Sequence, residues 1–285
     1  MKINLQFSKL HGLGNDFIVI DGINQRLNDL DIQKTTSFLC NRRYGIGADG
    51  VVLALPSADS DLAMHIYNAD GSIAEMCGNG LRCLAQFAYE HKLVEKEIFS
   101  IETKAGVKVP ALSIKDGKVM DIEVDMGIPS WNKQDIPLTR EIESDSSLGL
   151  GFEILGQHYS VDAISMGNPH AVIFVDQLDK VDIQTLGSRL AVHPDFKHGT
   201  NVEVVQIMNP QEARMLVWER GVGVSHACGT GACAVVVAGV LKGVLNNQVS
   251  IHLPGGKLYI DWQGKNQKIL MTGPAKTVYS GSIEL

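Results

Sequence analysis

The chain repeats itself, and this constrains its fold more than any other feature. Cys77–Gly80 reads Cys-Gly-Asn-Gly, and Cys-Gly-Thr-Gly returns 151 positions later at Cys228–Gly231. Gly14-Asn15-Asp16 returns as Gly167-Asn168-Pro169 after 153 positions, and Gly106-Val107-Lys108 resembles Gly256-Lys257-Leu258 after 150. One Gly-rich tetrapeptide recurs easily by chance. Three collinear matches at nearly one offset read as a duplication into two similar halves.

The coarse patterning repeats as well. Strand-like runs cover Asp16–Asp21, Gly50–Leu55 and Leu62–Asn68 in the first half. Their counterparts are His170–Val175, Asn201–Ile207 and Arg214–Glu219. Leu62, Met64 and Ile66 alternate with other residues, the period-2 mark of a strand. Cys77 follows Asn68 by nine residues, as Cys228 follows Glu219. Each cysteine precedes a helix-like stretch. In the first, Leu81, Leu84, Ala85 and Ala88 mark one face, extended by Phe87. In the second, Ala232 to Leu241 is apolar on every side, as in a helix inside a core. Further strands are expected over Ile98–Glu102, Val119–Asp125, Val249–Leu253 and Lys257–Trp262, with Met126–Pro129 as a linker. The expected fold class is α+β, with two pseudo-symmetric halves, each a strand-rich shell around one helix, and a functional cleft between them.

Composition excludes several roles. Acidic residues outnumber basic ones, 32 to 25, and no Lys/Arg run occurs, so a nucleic-acid partner is not expected. The longest strongly apolar stretch has ten residues, whereas a membrane span needs about 20, so no membrane partner is expected. The start MKINLQFSKL has no apolar core of a secretory signal, and a cytoplasmic protein is the expectation. The five cysteines (Cys40, Cys77, Cys83, Cys228, Cys233) are odd in number and form no CxxC, which argues for reduced thiols and against a zinc or thioredoxin-like site.

Cys77 and Cys228 each stand before a helix, beside a Gly-x-Gly turn. Glycines let backbone N–H groups approach a ligand, and the N–H groups of a helix start attract anions. The same field is expected to lower a thiol's pKa. Two such thiols facing one cleft fit the inversion of a carbon centre, in which one group removes a proton and another delivers one on the opposite face, without a cofactor. The amides of Gly78, Asn79, Gly229 and Thr230 are the natural donors to a substrate carboxylate as its α-carbon becomes carbanion-like. The bland reading of both cysteines is burial as small hydrophobes. Cys83 and Cys233 lie within the helices and read as core.

His170 opens a strand, where it is either a structural hydrogen-bonding residue or a tuner of a nearby thiol. Glu219-Arg220 ends a strand and is either a surface charge pair or a carboxylate and guanidinium suited to an amino-acid head group. The corresponding Asn68-Ala69 lacks such a pair, so the halves would be alike for chemistry and unlike for recognition. Gly45–Gly50 matches GxGxxG literally, but a helix-like segment precedes it and a strand follows. That order is wrong for a dinucleotide site, and a tight turn is expected.

These residues carry a family resemblance. The chain resembles the diaminopimelate epimerases through HGLGNDF (His11–Phe17), GADG (Gly47–Gly50), YNADGS (Tyr67–Ser72), MCGNGLRC (Met76–Cys83) and ETKAG (Glu102–Gly106). The likeness continues with MGNPH (Met166–His170), GTNVE (Gly199–Glu203), WERG (Trp218–Gly221), ACGTGACA (Ala227–Ala234), LPGG (Leu253–Gly256) and MTGPA (Met271–Ala275). The resemblance implies two barrel-like domains, each around a central helix: 1–128, joined by a C-terminal strand at 274–285, and 129–273. It implies a pyridoxal-phosphate-independent epimerase that interconverts LL- and meso-diaminopimelate, with no cofactor, no metal and a homodimer. Cys77 and Cys228 match the catalytic bases. Asn15, Asn68, Asn168, Asn201, Glu219 and Arg220 match substrate contacts, Gly78-Asn79 and Gly229-Thr230 the amide cradles, and His170 and Glu219 the residues that adjust the thiols.

Two places depart from the commonest pattern. Gly223-Val224-Ser225-His226 stands where many members read Gly-Glu-Thr, and Ile73 stands where many carry Glu. Ser225 keeps a hydroxyl for the cysteine loop, while Val224 removes a charge. The alternatives are a racemase of another amino acid, such as histidine, and an inactive amino-acid-binding protein. Asn79 counts against hydroxyproline epimerases, which usually carry Cys-Gly-His-Gly.

Overall fold

The computed structural model describes residues 3–27, 30–141 and 144–285. The chain divides into two compact units, Met1–Asp125 with Thr272–Leu285, and Met126–Met271. The first 125 residues supply β1 (Asn4–Gly12), β2 (Asn15–Asp21), α1 (Ile32–Cys40), β3 (Gly50–Leu55), β4 (Leu62–Asn68), β5 (Ile73–Ala74), α2 (Gly78–Glu90), β6 (Ile101–Thr103), β7 (Gly106–Lys108), β8 (Ala111–Lys115) and β9 (Lys118–Asp125). Next come β10 (Leu150–Ile154), β11 (Gln157–Ser165), β12 (Pro169–Phe174), α3 (Ile183–Leu190), β13 (Asn201–Asn209), β14 (Glu212–Glu219), β15 (Gly223–Ser225), α4 (Gly229–Leu241), β16 (Gln248–Leu253), β17 (Gly256–Trp262) and β18 (Ile269–Gly273). The last strand, β19 (Lys276–Glu284), belongs to the first unit and pairs antiparallel with β1.

In the first unit the strands run β19-β1-β2-β3-β4-β6-β7, with β5 on β4. The pairs β2–β3 and β4–β6 are parallel. Phe17 to Ile20 of β2 are all buried, so this part of the sheet is covered on both faces. Ile18, Ile20, Val51 and Leu53 pack with Leu39 and Cys40 of α1. On the other face lies α2, buried from Gly78 through Ala88.

In the second unit the strands run β10-β11-β12-β13-β14-β16-β17-β18, with β15 on β14. Here β12–β13 and β14–β16 are the parallel pairs. The registers correspond: Phe17 sits opposite Gly50 in the first unit, and His170 opposite Asn201 in the second. Val204 and Val202 join Leu186 and Leu190 of α3 in one apolar cluster. The all-apolar α4 is buried from Gly231 to Gly239 and packs on β11, β12, β13 and β17.

The structure departs from expectation in two ways. Each unit has a second helix on the sheet face away from the cysteine-led helix: α1, the helix-like segment expected before Gly45, and α3, which was not expected. Helix α3 has only eight residues, too few to show a period in sequence, and is started by Asp182, whose carboxylate accepts from the Gln184 and Thr185 N–H groups. The strand expected over Ile98–Glu102 starts only at Ile101, because Ile98 makes a single bridge to Ala111 and Ser100 turns its hydroxyl and N–H to Asp61. Gly45–Gly50 links α1 to β3, as expected of a turn rather than a nucleotide loop. No helix among the described residues is long and apolar enough to cross a membrane.

The tight seating of α4 gives a prediction. A methyl at Gly239 would overlap the whole Leu245 side chain, with Cγ only 2.6 Å away. Replacing a helical glycine by alanine gains about 1 kcal/mol of propensity, while overpacking costs about 1–3 kcal/mol. Because the neighbour has no free end to move aside, Gly239→Ala is expected to lower the urea unfolding midpoint; a raised midpoint would show that the Leu245 turn yields.

Candidate functional site

In the first unit, Cys77 is the N-cap of α2. Its backbone is extended, and its sulfur accepts from the Gly80 N–H at 3.5 Å. The helix can start this close to the sheet because Gly80 has no side chain: a Cβ there would lie 2.9 Å from Ile66 Cδ1. Asn15, at the start of β2, places its Oδ1 at 4.0 Å from the Cys77 sulfur and accepts from Asn79 Nδ2 at 3.0 Å. Behind Asn79, the fully buried Arg82 donates to Asn79 Oδ1 at 2.7 Å and to the Pro274 carbonyl at 3.4 Å.

The GADG turn holds Asn15 from the other end. Asp49 Oδ2 accepts from Asn15 Nδ2 at 2.8 Å and from the Asp16 N–H at 3.1 Å. Arg42 bridges Asp49 and Asp16, at 2.8 and 2.7 Å, and Lys9 reaches Asp16 at 2.9 Å. Burial pushes the Asp16 carboxyl up, but its hydrogen bonds and charge attraction to Arg42 and Lys9 outweigh that and hold it down to about 2. Asn68 stays outside this cluster: it is exposed, opposite Gly50, and its amide donates to Ser72 Oγ at 2.9 Å.

In the second unit, Cys228 caps α4 in the same way, its sulfur accepting from the Gly231 N–H at 3.4 Å. Thr230 Oγ1 lies 3.5 Å from that sulfur and accepts from Asn168 Nδ2, also at 3.5 Å. Asn168 Oδ1 is 3.1 Å from His170 Nε2. The ring's Nδ1 is 2.7 Å from Glu203 Oε1, and both side chains are fully buried. Donor atoms of His170, Glu203 and Cys228 all lie within 4.8 Å of one another. These are nitrogen, oxygen and sulfur ligands of the kind zinc takes. Two ligands on one tetrahedral zinc stand roughly 3.3 Å apart, however, so the 2.7 Å contact is a hydrogen bond rather than a ligand pair.

Asn201 and Arg220 form a neighbouring cluster. Asn201 Nδ2 donates to the Pro169 carbonyl at 3.3 Å, and its Oδ1 accepts from the Arg220 N–H at 2.8 Å. The Arg220 guanidinium is exposed and donates to the His198 carbonyl at 2.8 Å. Glu219 is half-buried and accepts from the Ser225 hydroxyl. Ser225 thus braces Glu219 rather than the cysteine loop. Val224 and Ile73 are both exposed.

The expectation of a lowered thiol pKa is corrected for Cys228. Burial pushes this thiol well above its ordinary value, and the charges of Glu219 and Glu203 push it further. The Thr230 hydroxyl and the Gly231 amide oppose this but do not win. Helix-start amides act over one turn, whereas loss of water is felt by the whole sulfur.

Two half-sites, each a cysteine-capped helix with an asparagine beside its cap, stand on one duplicated scaffold. The sequence pattern described as diaminopimelate epimerase matches residues 7–132 and 162–278. The chain belongs to the diaminopimelate epimerase family. The chain is 47% identical over 278 residues to the diaminopimelate epimerase of Pelotomaculum thermopropionicum, covering 97% of this chain and 98% of that one. With the enzyme of Acaryochloris marina the identity is also 47%, covering 99% of each chain. Among solved structures, a hydroxyproline epimerase from Agrobacterium vitis has the same fold at 18% identity and a TM-score of 0.72, covering 99% of this chain and 93% of that one. A PhzF-family phenazine biosynthesis protein from Bacillus anthracis shares it at 16% identity and a TM-score of 0.69, covering 99% of both.

Reading by motif missed Glu203, Asp49 and Arg82. For Glu203 a signal existed: it is the one acid in the run Asn201-Val-Glu-Val-Val, and its counterpart under the 151-residue offset is Val52. Asp49 is bonded to Asn15 and Asp16 of β2, far from it in sequence, and Arg82, although three residues from Asn79, is tied by the Pro274 carbonyl near the other end of the chain.

The Asp16 network yields a pH prediction. A carboxyl whose folded pKa is depressed to about 2 stabilises the fold fully above its unfolded value of 3.8 and loses that contribution as pH falls from there toward 2. Asp16→Asn is expected to cost on the order of 2 kcal/mol at pH 7 and to flatten the acid limb of the stability curve. Denaturation series from pH 7 to pH 2 check this; parallel curves for wild type and variant would remove Asp16 from acid unfolding.

Proposed function

We propose that this chain converts LL-2,6-diaminopimelate to meso-diaminopimelate for lysine and peptidoglycan-precursor biosynthesis, using Cys77 and Cys228 as the two bases and no cofactor. The observation that carries this reading is the duplicated cysteine cap in a chain that matches diaminopimelate epimerases over almost its whole length. Each compact unit is then one epimerase half. Inversion at one carbon requires two sulfurs that address it from opposite faces. One thiolate takes the α-proton, the electron pair passes into the substrate carboxylate, and the other thiol returns a proton from the far side. Burial pushes the Cys228 thiol up, which favours its protonated form before the substrate arrives. The first-turn amides of Gly78, Asn79, Gly229 and Thr230 stabilise the carboxylate as negative charge builds on it. Asn15, Asn68, Asn168, Asn201, Glu219 and Arg220 hold the amino-acid groups, and His170 and Glu219 adjust the thiols. The same reading includes a cytoplasmic homodimer, which light scattering on the purified protein tests.

The deciding experiment incubates reduced protein with LL-diaminopimelate in D2O. Meso product carrying α-deuterium, with early recovered LL-substrate still protiated, is expected. Absence of label in diaminopimelate, with label entering another amino acid, would keep the chemistry and change the substrate; no label in any would leave a binding protein. Cys77→Ser and Cys228→Ser are each expected to lower kcat by about 10²–10⁴-fold with circular dichroism unchanged. Arg220→Ala should raise KM with kcat nearly unchanged, and a fall in kcat alone would remove the guanidinium from ground-state binding.

A further inference from the structure

The two cysteine caps are alike, but what lies beneath them is not. In the first unit, β2 and β3 present Phe17 and Val52 at the positions where β12 and β13 present His170 and Glu203. Phe17 and Val52 are buried apolar residues, whereas His170 and Glu203 are a fully buried hydrogen-bonded couple. The Glu203 carboxylate also lies against the first turn of α4, where a Cβ at Gly231 would sit 2.5 Å from its Oε1. That helix start favours the carboxylate as an anion. Its second oxygen, Oε2, is buried with no hydrogen-bond partner, so the binding of this group is concentrated on the ring.

The polarity of the contacts can be followed atom by atom. Asn168 gives its Nδ2 to Thr230 Oγ1, so its Oδ1 is what faces His170 Nε2. A carbonyl oxygen only accepts, and therefore Nε2 carries a proton. An ionised Glu203 only accepts, and therefore Nδ1 carries one too. Thr230, having accepted from Asn168, has its own proton left to point at the Cys228 sulfur, 3.5 Å away. We propose that Glu203 is a positioning residue for Cys228: it keeps the His170 ring doubly protonated and so fixes a one-way hydrogen-bond chain, through Asn168 and Thr230, that ends in a hydroxyl donor on the sulfur. The sulfur gains a donor at the moment it becomes a thiolate. The first unit carries Phe17 and Val52 at the corresponding positions, so no histidine–carboxylate couple stands there. The ionisable groups facing Cys228 are His170 from β12, Glu203 from β13 and Glu219 from β14. The inference rests on the proposed role of Cys228, but its readouts need no turnover.

The test is peptide-resolved alkylation of the native protein by iodoacetamide, comparing wild type with Glu203→Gln. A glutamine amide can meet the ring with either end, so it fixes neither the second ring proton nor the polarity of the chain. Alkylation of Cys228 is expected to slow about fivefold at pH 8, with Cys77 unchanged. Loss of a nearby negative charge acting simply through space would speed Cys228 instead, since that charge holds the thiol up. In a Thr230→Val background the effect of Glu203→Gln should vanish. Faster or unchanged alkylation of Cys228, or equal slowing of both cysteines, overturns the proposal. Should Glu203→Gln not fold, the wild-type protein decides: long-range 1H–15N spectra of the ¹⁵N-histidine-labelled protein are expected to show both nitrogens of His170 protonated at neutral pH, and an unprotonated Nε2 overturns the chain. Deuterium exchange at the substrate tests the epimerase reading separately, so the two can fail independently.

Discussion

A cysteine sulfur accepting a hydrogen bond from the third amide of its own helix is the contact on which each unit depends. It ends the preceding loop, starts the helix, and holds the thiol at the one place where several N–H groups converge. The contact needs the helix to begin hard against the sheet, which only glycine at Gly80 and Gly231 allows, since a Cβ there would meet Ile66 or Glu203. The buried helices and the sheets covered on both faces follow from that close seating. A helix whose start is pressed into a sheet must be apolar along its length, as α4 is, or must satisfy its polar side chains internally, as α2 does with Arg82 and Asn79.

Duplication supplied the geometry twice, and later differences made the copies unlike. In the first unit, charge gathers beside the cap, in the Asp16–Asp49–Arg42–Lys9 cluster that steadies Asn15. In the second it gathers beneath the cap, in His170 and Glu203. The first arrangement is half open to water and is held by several ion pairs. The second is fully buried, where an isolated charge would be very costly and a hydrogen-bonded couple is the form that survives. Two thiols in matching backbone settings therefore meet different electrostatic surroundings.

Much of this was legible in the residues. The offset between Cys77 and Cys228 announced two similar units, and strand-like apolar runs, alternating only in β4, located β2, β3, β4 and their counterparts to within a residue or two. Helix α3 was not legible, because eight residues carry too little periodicity, and the strand at Ile101 was overdrawn because its neighbour Asp61 takes the backbone of Ser100. The candidate site residues split in the same way. Those marked by unusual local chemistry, Cys77, Cys228, Asn15, Asn168 and His170, stood out. Those whose role is to hold another side chain, Asp49, Arg82 and Glu203, did not.

The sequence by itself determined the family, the duplication, the two caps and the α+β class, because these depend on residue types at short spacing and on a repeat that needs no folding to be seen. Tertiary structure alone decided which partners meet. It turned Ser225 toward Glu219, left Asn68 with Ser72, and raised the Cys228 thiol where its place at a helix start pointed the other way. The physical reason is that burial and hydrogen-bond polarity are properties of what surrounds an atom, and those surroundings come from strands far apart in the chain.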